Sequence, residues 1–220
     1  MGAMRHAFVC GYSRSGTTLL ATILDSHPRI SMGYELVPSG LPPLDAAARE
    51  LRRALAEDPT DPAAVLRRDP ATADLGLFLI HAGWALVGPE ELAGLMEAEA
   101  AAGRGDATGP RRTARLAMQV VERKRAKEGS DLTGFKVQTS RFGTYHRLFP
   151  DGAFACIVRD PRDVLASQQG RGFKRSVDRI ATHWRDYYER FHRFTRFHPG
   201  RTLVVRYEDL VADPEPQYSR

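Results

Sequence analysis

The stretch that most constrains how this chain can fold is GYSRSGTTLL, Gly11 to Leu20, placed directly after the apolar run Ala7-Phe8-Val9-Cys10. A short apolar run bounded by glycine predicts a fully buried parallel strand, here Phe8 to Cys10. From Thr17 to Ser26 the apolar residues Leu19, Leu20, Ile23 and Leu24 recur at helical spacing, and His27-Pro28 ends the pattern. Strand, glycine loop and helix in that order make a phosphate cradle, because backbone N–H groups converge at the positive end of the helix dipole. Gly11 and Gly16 are separated by four residues as in the nucleotide phosphate loop, but Thr17 stands where that loop carries lysine. The candidate binding groups are therefore the backbone of Ser15, Gly16, Thr17 and Thr18, the two threonine hydroxyls, and Arg14 as the cation inside the loop.

The alternation of strand and helix returns in the second half of the chain. Leu132 to Val137 predicts a strand, Phe142 to Phe149 a helix, and Ala153 to Arg159 another strand. A helix opens at Asp160-Pro161, with Asp160 as its cap and Pro161 in its first turn. A long amphipathic helix over Ser176 to Phe197 precedes a last strand, Thr202 to Tyr207. Such units build an α/β fold in which a central parallel β-sheet is flanked by helices, of the P-loop nucleotide-binding type, with ligand at the carboxyl ends of the strands. Between Val37 and about Ser130 the sequence is rich in Ala, Arg and Pro, with helical periodicity broken at Pro42-Pro43, Pro59, Pro62, Pro70, Gly88-Pro89 and Gly103 to Pro110. This predicts a helical insertion over about residues 40–130, lying along one edge of the sheet as a lid, an acceptor-binding region or a completion of the core. Within it Leu77 to Val87, the most apolar stretch, is expected in the core, and Gly103 to Pro110 is expected as a mobile loop. With 220 residues and 42% hydrophobic content the chain has material for one core, so a single domain over residues 1–220 is expected.

Composition removes several classes of function. The formal charge of +5 comes from arginines spread along the chain, which suits an anionic ligand. The basic residues carry no interleaved aromatic ladder, so nucleic-acid binding is not expected. Cys10 and Cys156 each sit in an apolar strand and read as buried thiols, not as a disulfide framework. Histidines and acids show no metal-ligand spacing, and no metal is expected. The N-terminus runs into the glycine loop without an apolar stretch long enough for a signal peptide or a membrane span, so a soluble cytoplasmic protein is expected. His27, His81, His183 and Trp184 read as helix-stop or packing residues, and Glu208 and Asp209 as structural.

In nucleotide hydrolases and kinases the loop lysine reaches a β- or γ-phosphate and the next hydroxyl holds magnesium. Lacking that lysine, and with no strand ending in a metal-binding aspartate, the loop suits a donor without a triphosphate chain. A sulfuryl group leaving a 5′-phosphosulfate needs a cation where charge builds, on the oxygen bridging sulfur and phosphorus. At this point several stretches together resemble the sulfotransferases that use 3′-phosphoadenosine-5′-phosphosulfate. RSGTTLL, Arg14 to Leu20, is similar to their 5′-phosphosulfate loop. DSHPRISMGYE, Asp25 to Glu35, is similar to the segment that continues the loop in tyrosylprotein and related Golgi-type members, which implies Glu35 as the catalytic base. CIVRDPRDVLASQ, Cys156 to Gln168, resembles their 3′-phosphate motif and implies Arg159 and Ser167 as its ligands. A forked guanidinium suits phosphate, and Ser167, just under two turns into the next helix, can turn its hydroxyl to the same anion. VVRYEDLVADPE, Val204 to Glu215, resembles the last-strand motif and implies Tyr207 near the adenine. Lys136, ending LTGFK, resembles the lysine that many members place at the departing phosphosulfate.

The resemblance spans roughly residues 6–40 and 132–215. It implies sulfuryl transfer from this donor, by in-line displacement, to the hydroxyl (or amine) of a small-molecule, carbohydrate, lipid or peptide acceptor, with adenosine 3′,5′-bisphosphate as product and no metal. Two other readings stand beside it. A small-molecule kinase with a degenerate loop would need magnesium and ATP, and a non-catalytic nucleotide-binding homologue would bind the bisphosphate without transfer. Members normally continue past YEDLVADPE with a further helical region, so with the end at Arg220 the expectation is either a sequence short of that region or an incomplete cofactor pocket, which bears on activity and not on ancestry.

Overall fold

The computed structural model describes residues 6–36, 40–102, 109–137, 142–172 and 176–213. The chain opens with β1 (His6–Cys10), α1 (Thr17–Asp25) and β2 (Ile30–Gly33). Five helices follow: α2 (Leu44–Glu57), α3 (Pro62–Arg67), α4 (Ala73–Trp84), α5 (Pro89–Ala101) and α6 (Gly109–Glu128). The alternation then resumes as β3 (Leu132–Lys136), α7 (Phe142–Leu148), β4 (Ala153–Val158) and α8 (Pro161–Gln169). It closes with α9 (Val177–Phe197), β5 (Thr202–Arg206) and α10 (Tyr207–Ala212).

The five strands form one sheet in the order β2-β3-β1-β4-β5. The pairs β2–β3, β1–β4 and β4–β5 run parallel, with Cys10 opposite Cys156 and Val158 opposite Arg206. Chain order reverses direction across the sheet at β1, so the loop after β1 opens at the switch point where an open α/β sheet leaves a crevice for ligand.

Two compact units are defined by their internal contacts. The first comprises residues 1–23 and 136–220. Its core is aromatic: Phe154 of β4 lies 5.2 Å from Phe8, 6.3 Å from Phe142 and 5.0 Å from Phe194, measured between ring centres. These rings are buried because β1 and β4 are central strands with apolar residues on both faces. Both cysteines are buried free thiols, and burial, followed by the neighbouring Cys156, pushes the Cys10 thiol well above its ordinary range.

The second unit, residues 24–135, is mainly helical. α2 packs on α3 and α5, α3 on α4, and α4 and α6 on β2. Prolines mark the starts, Pro62 opening α3 behind the cap Asp61 and Pro89 opening α5, because a ring with no N–H costs nothing in a first helical turn. Lys124, buried on α6, pairs with Asp25 and donates to the Met32 carbonyl at 3.1 Å, tying α6 to the segment around β2. Arg115 and Gln119 both donate to the buried Glu99 carboxylate, at 2.6 and 2.9 Å, which joins α5 to α6.

Three expectations shift. β2 was not visible in the sequence as a strand. The stretch Leu77 to Val87 is only partly core, since α4 stops at Trp84 and the side chains of Leu77, Trp84 and Leu86 are exposed. The last strand ends at Arg206 and Tyr207 begins α10, whose first turn carries Glu208 and Asp209 where the helix dipole favours acids. Residues 103–108 of the expected loop Gly103 to Pro110 lie outside the described residues, and Gly109 and Pro110 already belong to α6.

Candidate functional site

Four motif stretches of the first unit follow the carboxyl ends of four strands: the glycine loop after β1, Lys136 ending β3, Arg159 after β4 and Tyr207 after β5. The loop is tight. Ser15 N–H donates to the Tyr12 carbonyl at 3.0 Å, Arg14 takes a left-handed φ of 71° and Gly16 a φ of 95°. Gly11 has no room for a side chain, since a Cβ there would lie 2.7 Å from the Ile157 carbonyl oxygen. The Gly16 carbonyl accepts the first helical bond of α1, from Leu20 N–H at 3.0 Å.

The side chains around this loop form one connected group. Arg14 Nε donates to Ser167 Oγ at 3.1 Å, so the loop arginine meets the serine of the other phosphate motif. Arg159 donates through Nη1 to the Arg14 carbonyl at 3.3 Å, and its guanidinium lies over the Tyr207 ring at 4.3 Å. Tyr207 in turn fills the space beside Gly16, where an added Cβ would be 2.5 Å from its Cδ2. Lys136 is 4% exposed and donates to Thr18 Oγ1 at 3.0 Å, which places an ammonium at the start of α1. Ser15 is fully buried, and Thr17 is half-buried at the mouth of the helix. Gln168, also fully buried, donates to the Ser13 carbonyl at 3.3 Å.

α8 is placed by its cap. The Asp160 carboxylate accepts Arg162 N–H at 2.8 Å, and the Arg162 guanidinium beside it holds its carboxyl down to about 2. Glu208 accepts the Asp160 N–H at 2.8 Å, the structural role expected for that residue. The sequence reading therefore named residues that the fold brings together in one group: Arg14, Ser15, Gly16, Thr17, Thr18, Lys136, Arg159, Ser167 and Tyr207. Glu35 belongs to the second unit. It is half-buried two residues after β2, has a left-handed φ of 50°, and its carbonyl accepts from His81 Nδ1 at 3.2 Å.

Sequence reasoning missed the contribution of α9. Trp184, expected only to pack, donates its Nε1–H to the Arg159 carbonyl at 3.1 Å. Tyr187 OH accepts Gly11 N–H at 2.9 Å, and Tyr188 OH accepts Tyr12 N–H at 3.2 Å. The available signal was the run of three aromatic residues at helical spacing, which indicates a buried face but not that its polar tips point at a backbone.

The loop N–H groups, Lys136, Arg14, Arg159 and Ser167 are donors of the kind that bind phosphate oxygens. The Arg159 Nε is buried and has no hydrogen-bond partner among the described residues. No group of three or more His, Cys, Asp or Glu side chains able to hold a metal occurs among the described residues. No helix of the described residues is long and apolar enough to cross a membrane.

Comparison with known proteins gives the same direction. A family model described as the Sulfotransferase family matches residues 7–220. No curated protein matches the chain. Among solved structures, the sulfotransferase domain of the Synechococcus PCC 7002 olefin synthase superposes with a TM-score of 0.60 at 21% identity, over 98% of this chain and 70% of that one. Sulfotransferase STF9 from Mycobacterium avium gives 0.52 at 15% identity, over 100% of this chain and 63% of that one. Sulfotransferase STF1 from Mycobacterium tuberculosis H37Rv gives 0.52 at 17%, over 99% and 66%. At such identities the likeness is one of fold, and this chain spans less than two thirds of the two mycobacterial chains.

Proposed function

This chain belongs to the Sulfotransferase family, an enzyme family, and we propose that it transfers a sulfuryl group from 3′-phosphoadenosine-5′-phosphosulfate to an acceptor hydroxyl. The observation that carries the choice of donor is the contact chain Ser167–Arg14–Arg159–Tyr207, which gathers two guanidinium groups and a serine hydroxyl beside the glycine loop. A nucleotide bearing both a 5′ and a 3′ phosphate uses these groups fully, and ATP does not.

When bound, the donor supplies an electrophilic sulfuryl group attached to a phosphate leaving group. The chain's own residues then divide the work. Arg159 and Ser167 bind the 3′-phosphate, the forked guanidinium giving two parallel donors. The backbone of Ser15 to Thr18 with Arg14 cradles the 5′ end. Lys136, desolvated at the start of α1, sets a positive charge where the departing oxygen gains negative charge. Glu35 takes the proton of the acceptor hydroxyl as that oxygen attacks. The acceptor is a small molecule, carbohydrate, lipid or peptide bearing a hydroxyl. No metal takes part, because Lys136 and Arg14 meet the charge of a leaving group that has no triphosphate.

Calorimetric titration with adenosine 3′,5′-bisphosphate against ATP tests this directly. The bisphosphate is expected to bind at least tenfold more tightly, and Arg159→Ala is expected to abolish that preference. A preference for ATP, or binding of neither, would overturn the proposal.

A further inference from the structure

Two neighbouring hydroxyls on α9 hold the backbone of the glycine loop, Tyr187 at Gly11 N–H and Tyr188 at Tyr12 N–H. The Tyr188 oxygen also lies 2.9 Å from the Ile157 carbonyl and 3.0 Å from Ser15 Oγ. A phenol has one proton and a carbonyl can only accept, so that proton goes to Ile157 and the loop groups face the oxygen's lone pairs. One turn earlier Trp184 donates to the Arg159 carbonyl, and its ring packs edge-on against Tyr188 with centres 4.8 Å apart. A single hydroxyl thus bridges the loop that carries Arg14 to the strand end that carries Arg159.

The side-chain contacts between those two segments are of another kind. Arg159 reaches the Arg14 carbonyl, and Arg14 reaches Ser167, through the same guanidinium groups and hydroxyl that a phosphate would engage. The Tyr188 bridge instead joins the Tyr12 N–H, the Ile157 carbonyl and Ser15 Oγ through a part-buried hydroxyl, and uses neither guanidinium group. Burial raises the Tyr188 hydroxyl far above its ordinary value, so its proton stays in place at any working pH.

We infer that Tyr188, backed by Trp184, is a positioning residue that locks the phosphate loop to the Arg159 strand end, so that the 5′ and 3′ phosphates of one nucleotide bind cooperatively. The identity of the ligand rests on the sulfotransferase reading above; the bridge itself does not. A locked pair of subsites lets the second phosphate bind without further ordering, whereas an unlocked pair must be brought into register at each binding event.

The test compares adenosine 3′,5′-bisphosphate with adenosine 5′-monophosphate on the full chain by calorimetry, in wild type, Tyr188→Phe and Trp184→Phe. The gain from the 3′-phosphate is read as the ratio of the two Kd values. Tyr188→Phe is expected to shrink that ratio by about tenfold, the scale of one lost coupling in a hydrogen-bonded network. Trp184→Phe keeps a packed ring and is expected to shrink it in the same direction, which serves if the tyrosine variant does not fold. Equal weakening of both ligands, with the ratio unchanged in both variants, overturns the inference, because the hydroxyl then merely supports the loop. A wild-type chain that gains nothing from the 3′-phosphate overturns the sulfotransferase reading and this inference together; a wild-type gain that survives both substitutions overturns this inference alone.

Discussion

At Gly16 backbone and side-chain constraints coincide, with φ at 95° and the Tyr207 ring filling the place of a Cβ. Gly16→Ala should therefore cost about 1–3 kcal/mol in backbone strain alone. It should also displace Tyr207 from under Arg159, so bisphosphate binding weakens along with stability; urea denaturation and calorimetry read the two effects separately. Glu35 calls for the opposite pattern. If it takes the acceptor's proton, Glu35→Gln should lower kcat by about 100-fold or more, as loss of a general base does, and leave the bisphosphate Kd unchanged. Arg14 was legible as the cation inside the glycine loop, while Arg159, Ser167 and Tyr207 were named through the resemblance of their stretches to sulfotransferase motifs. Their mutual contacts were not legible, since Arg14 and Ser167 are 153 residues apart in the chain.

Among the elements, α8 has the clearest electrostatic signature. Its cap Asp160 has a carboxyl held from 3.8 down to about 2, first by Arg162. A depressed carboxyl contributes stability that is fully present above its ordinary value and is lost as pH falls through the depressed one. The cap should thus hold above about pH 4 and fail towards pH 2, and Asp160→Asn should flatten this part of an acid titration followed by circular dichroism. The cap and Pro161 were readable because they act within one turn. β2 was not, for four residues are too few to show a period, and ISMG is a strand because β3 lies beside it. α10 was missed for a similar reason: Tyr207 continues an apolar strand in sequence, and six residues are too few to show a helical period, while the Glu208 carboxylate that accepts the Asp160 N–H joins α10 to the start of α8.

For the whole molecule, stability should depend on the state of His146. Its Nδ1 is buried without a hydrogen-bond partner among the described residues, and its ring lies 4.1 Å from His198 and 5.9 Å from Phe194 between centres. Burial first, then the charges of His198 and Arg201, hold it below the usual histidine value of 6.5. A histidine depressed on folding binds its proton more readily when unfolded, so stability is complete above 6.5 and declines as pH falls below that value. Melting temperature against pH should show this decline, and His146→Phe should reduce it. The same aromatic neighbourhood illustrates what was and was not readable. From sequence alone came the α/β class, the glycine loop without its lysine and the helical middle, because each rests on local spacing and residue chemistry; the pairing of Arg159 with Ser167 came through the resemblance to a sulfotransferase motif. Only the tertiary structure decided that Arg14 meets Ser167, that Arg159 lies on Tyr207, and that Tyr188 of α9 holds the loop at Tyr12 N–H. Those contacts join segments far apart in the chain, and a helix period specifies which face is buried without specifying which backbone its polar tips will reach.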